Sequence, residues 1–161
     1  MPEEFDLKKL KEIYEKLKVT YNLPLFEKMN EDFQIEKIAG SETDFIIRET
    51  RKYITDKFFS YLRFLESILT PTNAPMFVFA ITKSLGVRER EKLIELYKKI
   101  AKIEVDVIEL DLEYSEKKEA EAIKKYYELW QEVKKELLEI VGVIKKNWDN
   151  KLEGNGNGYF G

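Results

Sequence analysis

The sequence predicts an all-α fold, a bundle of four main helices plus one short buried helix, on three observations. Apolar residues recur at spacings of three and four over long stretches. Capping and turn signals fall between those stretches, and only Gly40, Gly86 and Gly142 come before the glycine-rich end.

The first helix is expected over about 2–20. Pro2 suits the first helical position, Glu3 and Glu4 favour the positive end of the dipole, and Leu7, Leu10, Tyr14, Leu17 and Tyr21 form its stripe. Asn22-Leu23-Pro24 stops it, because the residue before proline is pushed out of the α region. The mixed pattern over 25–40 reads as loop, with one short helical turn and a weak alternation at Phe33 and Ile35.

Ser41-Glu42-Thr43-Asp44 resembles a capping box and opens a helix to Leu69 with the stripe Ile47, Ile54, Phe58, Tyr61, Leu65, Ile68. Phe59, Leu62 and Phe64 widen that stripe, so this is the expected central helix. After the turn Thr70-Pro71-Thr72-Asn73, with Asn73 as N-cap, 76–85 is a short buried helix closed by Gly86 in a left-handed conformation.

Two long antiparallel helices follow, about 87–113 and 115–150, the second with Ser115 as N-cap and the stripe Ile123, Tyr126, Trp130, Val133, Leu137, Val141, Ile144, Trp148. The segment 103–112 nearly alternates, and as a strand paired with 33–38 it would give a small two-stranded α+β element. The Val107-Ile108 adjacency favours helix. Residues 1–151 form one expected helical domain and 152–161 a flexible Gly/Asn tail.

Composition narrows the chemistry. The chain has 161 residues, 43% hydrophobic and 37% charged, with no Cys and no His. There is accordingly no Ser-His or Cys-His nucleophile pair, no zinc finger and no thiol redox chemistry. The longest apolar run, Ala74 to Ile81, falls short of the ~20 residues that cross a bilayer, and Met1-Pro2-Glu3-Glu4 does not resemble a signal peptide. A cytoplasmic protein without a membrane partner is the expectation. The net charge of -3 is interspersed, which disfavours nucleic acid, and no glycine-rich phosphate loop is present. Abundant Lys and Glu, glutamine only at Gln34 and Gln131, and no cysteine suggest a thermostable protein from a hot habitat.

Three constellations carry the functional expectations. On the helix expected over about 87–113, Leu93, Tyr97, Ile100, Glu104, Val107 and Asp111 fall on one strip, placing two carboxylates in the buried face. With Glu119 they could ligate Mg or Mn, and Arg51 could hold an anionic substrate group, as in a divalent-metal-dependent phosphohydrolase of the all-α type. The plainer reading is an interior ion pair of Arg51 with Glu104, or a bundle end open to water. Next, Phe79 to Ile94 has the outline of a helix-turn-helix DNA-binding element with Arg88 and Arg90 at the second helix. Thr82 in place of alanine, and Lys92 and Glu95 at apolar positions, argue against it. Lastly, Tyr127 sits at the edge of the long final helix's stripe, where a contact with a second copy would lie. The function expected from these features is a non-catalytic helical interaction or structural module, self-associating as a homodimer, with no cofactor.

Overall fold

A computed structural model describes residues 4–41, 43–72 and 75–154, the side chains of 4, 5 and 150–154 excepted. The chain folds as helices α1 (Glu4–Tyr21), α2 (Phe26–Phe33), a 3-10 turn (Ile35–Gly40), α3 (Ile46–Leu69), α4 (Met76–Ser84), α5 (Val87–Leu112) and α6 (Glu116–Gly154). No strand occurs among the described residues, so the all-α fold holds and 103–112 belongs to α5. The predicted roles of Pro2, Glu42 and Asn73 lie outside the described residues, as does the tail from 155 onward.

The chain divides into two compact units, residues 1–59 with 103–130, and 60–102 with 131–161. In unit one, Asn22 at φ 56° ends α1, and the Leu23 N–H bonds the Lys18 carbonyl at 3.2 Å. The hydroxyl of Tyr14 donates to Pro24 O at 2.6 Å and holds the following turn. The stretch expected to be mostly loop is instead α2 and the 3-10 turn, burying Phe26, Met29, Phe33, Ile35 and Ile38. Gln34 at φ 54° separates them, and Asn30 Oδ1 accepts the Glu36 N–H at 2.9 Å.

Ser41 does not cap α3. Its N–H and hydroxyl both donate to Ile38 O, at 3.0 and 2.8 Å, and so close the 3-10 turn. Thr43 Oγ1 accepts the Phe45 N–H at 3.0 Å, and α3 begins one residue later. The core of this unit is aromatic: the Phe58 ring meets Trp130 edge-on at 5.3 Å and Tyr126 at 6.4 Å, with Phe33 at 5.9 Å from Trp130. Such offset geometries match the quadrupoles of the rings.

Unit two buries Leu62, Leu65 and Ile68 of α3, Leu93, Leu96 and Ile100 of α5, and Val133, Leu137 and Ile140 of α6. The α6 stripe leaves its predicted course here: Ile140 is inside and Val141 exposed. Helix α4 follows Pro75 and buries Val78, Ala80, Thr82 and Ser84. The Thr82 hydroxyl lies 2.9 Å from Val78 O and 3.3 Å from Ile68 O, and Asn147 Nδ2 donates to Ser84 O at 2.6 Å. Its large apolar side chains Met76, Phe77 and Phe79 are exposed.

A buried ion-pair cluster as the candidate functional site

Arg48 and Arg51 are three apart on α3 and so project from one face of the helix. Glu119 lies in the first turn of α6, which Ser115 opens by accepting the Lys118 N–H at 3.3 Å, so the predicted cap is the observed one. Placing a carboxylate in that turn suits the positive end of the helix. The two arginines converge on it within unit one. Arg51 Nε bonds Glu119 Oε2 at 2.7 Å, Arg51 Nη2 reaches Glu119 Oε1 at 3.2 Å, and Arg48 Nε reaches the same Oε1 at 3.1 Å. Asp111 Oδ1 accepts from Arg51 Nη2 at 2.6 Å.

The side chains of Arg51 and Glu119 are 1% and 0% exposed, whereas that of Asp111 is half open to water. Burial by itself lowers the Arg51 pKa, since it penalises the cation. Hydrogen bonds that Arg51 donates to Glu119 and then Asp111, with the pull of their charges, outweigh it, and the net shift is upward. The guanidinium is thus locked in its charged form. Arg48 adds a bond to Leu110 O at 2.8 Å and stacks 4.8 Å from the Tyr114 ring centroid, which ties the α5–α6 turn to α3.

The sequence-derived metal set does not assemble. Glu104 is exposed, and Asp111 and Glu119 are engaged by Arg51. Among the described residues no group of three or more carboxylates is disposed to hold a metal ion. Arg51 is likewise buried, with its Nε and Nη2 donors taken by Glu119 and Asp111. The Arg51–Glu104 pair is replaced by Arg51–Glu119.

The error is one of register along α5. The face of α5 that lies inside is Leu93, Leu96, Ile100, Ile103 and Leu110. Val105, Ile108 and Leu112 face solvent, and Glu104 goes with them. Asp106 is half-buried and accepts from the Tyr126 hydroxyl at 3.3 Å. Tyr127 is also half-buried, and its phenol is close enough to Tyr14 to help raise the latter's pKa, so it belongs to the packing of unit one. Arg48 went unassigned in the sequence, although its three-residue spacing from Arg51 on an apolar helix was the available signal.

A cleft of about 690 Å³ opens in the same unit over Leu10, Leu17, Ile38 and Ile47, with Tyr114 and Glu116 at one side. Glu116 accepts the Tyr21 hydroxyl at 2.8 Å, and that bond foremost raises the phenol pKa. Chemically the cluster is a clamp: each carboxylate oxygen of Glu119 receives a guanidinium N–H, the arrangement that makes a buried charge tolerable. No protein-family model, no curated protein and no solved structure matches this chain.

Proposed function

We propose that this protein is a non-catalytic helical module that works by association, with a second copy of itself as partner. The observation that supports the reading is the outer face of α5. Val105, Ile108 and Leu112 are 66%, 57% and 82% exposed, and they stand at i, i+3 and i+7 on one helix. Three apolar side chains at that spacing form the kind of stripe that helices use to dock on other helices. The same helix already buries Ile103 and Leu110 on its other side. It therefore has one apolar face for its own fold and one left over.

The contact lies on α5 rather than at Tyr127 on α6, whose ring is half-buried in its own chain. The arrangement of Arg48, Arg51, Asp111 and Glu119 serves this reading by fixing the α5–α6 turn, and with it the angle at which the outer face is presented. Sedimentation velocity over a dilution series tests the proposal. The wild type should show concentration-dependent association and Ile108→Lys a single-chain mass with an unchanged helical spectrum. A wild type that stays monomeric at millimolar concentration overturns it.

A further inference from the structure

The molecule exposes a second apolar face, and its surroundings carry the opposite charge from the first. On α4 and at the start of α5, Met76, Phe77, Phe79 and Val87 are 70%, 56%, 43% and 76% exposed. From Ser67 to Arg88 the chain contains no Asp or Glu, and its charged residues are Lys83 and Arg88, both exposed. From Ile103 to Glu113 it contains Glu104, Asp106, Glu109, Asp111 and Glu113 and no Lys or Arg. Within that stretch Glu104 and Glu113 are exposed and make no ion pair among the described residues, and neither do Lys83 and Arg88.

Resting on the self-association proposed above, we infer that it is head-to-tail: the basic-flanked α4 face of one copy docks on the acidic-flanked α5 face of the next. A twofold contact of α4 with α4 would set Lys83 and Arg88 against their own copies, and one of α5 with α5 would set carboxylates against carboxylates. Like charges brought together at an interface oppose it. Pairing α4 with α5 of another copy covers both apolar faces and matches both charge patterns. Because the two faces differ, every chain that docks still offers one open face of each kind at the ends of the assembly. Growth then ends only when a ring closes, and otherwise continues as a filament.

Two surface variants decide the matter. Phe77→Glu spoils the α4 face and leaves the α5 face intact; Ile108→Lys does the reverse. Met76→Glu and Leu112→Lys serve as second versions of each, in case either of the first pair folds poorly by circular dichroism. The wild type should sediment as trimers or larger species that shrink as salt is raised. Each variant alone should be a single chain. An equimolar mixture should form a one-to-one heterodimer that grows no further, because it contains one pair of intact complementary faces. A wild type that associates while the mixture remains monomeric, or a single variant that still dimerises, overturns the head-to-tail arrangement and leaves self-association standing. A monomeric wild type overturns both.

Discussion

The two units handle polarity in opposite ways. Unit one takes charge inside: Arg51 and Glu119 are buried, and Arg48 and Asp111 complete a network of two cations and two anions. Unit two keeps its charges outside; its buried polar side chains among the described residues, Thr82 and Ser84, are hydroxyls bonded to helix carbonyls. Both units leave apolar side chains outside, Met76, Phe77 and Phe79 in unit two and Val105, Ile108 and Leu112 in unit one. A buried ion pair is a poor source of net stability, because desolvation consumes most of the Coulombic gain. What it supplies is geometry, since several oriented bonds have to be satisfied at once. Unit one thus specifies a register, and unit two is a plain apolar core.

The comparison breaks hardest at Glu119. Glu119→Gln removes the charge that two guanidinium groups share and leaves the buried Arg51 with the half-exposed Asp111 as its carboxylate partner. Loss of one partner from a buried pair costs about 3–5 kcal/mol. Urea denaturation should show a loss of that size, with hydrogen exchange rising first over 43–55 and 110–125. A loss below about 1 kcal/mol would mean that Arg51 reaches water in solution, and that the contrast between the units is shallower than the burial implies.

Alkali should find the same unit. Tyr14 and Tyr126 both belong to it, and both phenols are shifted upward, Tyr14 by burial and then by Glu15, Tyr126 by burial and then by Asp106. A raised folded-state pKa means that the native chain retains protons that the unfolded chain releases near pH 10. Their contribution is complete below pH ~10 and falls as pH climbs from there towards the folded-state pKa. Absorbance at 295 nm should show these phenols resisting ionisation beyond the ordinary range, then titrating together with the loss of helical signal in unit one. Titration of every tyrosine near the ordinary value with the fold intact would contradict the burial of Tyr14 and Tyr126.

What the sequence made legible follows from length and period. Ser115 as a cap and Ile123 to Leu137 as a core stripe stand out because α6 repeats its pattern many times. The segment 25–40 does not, because α2 and the 3-10 turn are each too short to establish a period, and Gln34 breaks the phase between them. Arg51 was legible as an interior charge, and Asp111 and Glu119 as its neighbours. Glu104 was misplaced because one residue on a helix is ~100° of rotation, and Val105, Ile108 and Leu112 form an apolar stripe that faces outward. Exposed faces are invisible to periodicity for the same reason: Val105, Ile108 and Leu112 carry the same spacing whether their partner is their own chain or another.

The smallest effect tests the junction between the α4 face and α5. The sequence suggests that Gly86 is needed for a left-handed backbone at the end of α4. The structure puts Leu85 there in an extended conformation, φ -93° and ψ 133°, and Gly86 lies outside the left-handed region. A Cβ at Gly86 would approach Glu89 Oε2 to 2.7 Å, and that atom is the free end of a flexible side chain that can swing away. Replacing glycine by alanine at a compatible backbone restricts the unfolded chain and gains ~0.4–1 kcal/mol. Displacing the Glu89 carboxylate from the first turn of α5 gives back a few tenths. Gly86→Ala should therefore change stability by less than ~0.5 kcal/mol in either direction, and leave assembly mass unaltered although Val87 is its neighbour. A loss above ~1.5 kcal/mol would show that the turn depends on glycine's backbone freedom after all, and that the α4 face is held at a strained joint rather than a relaxed one.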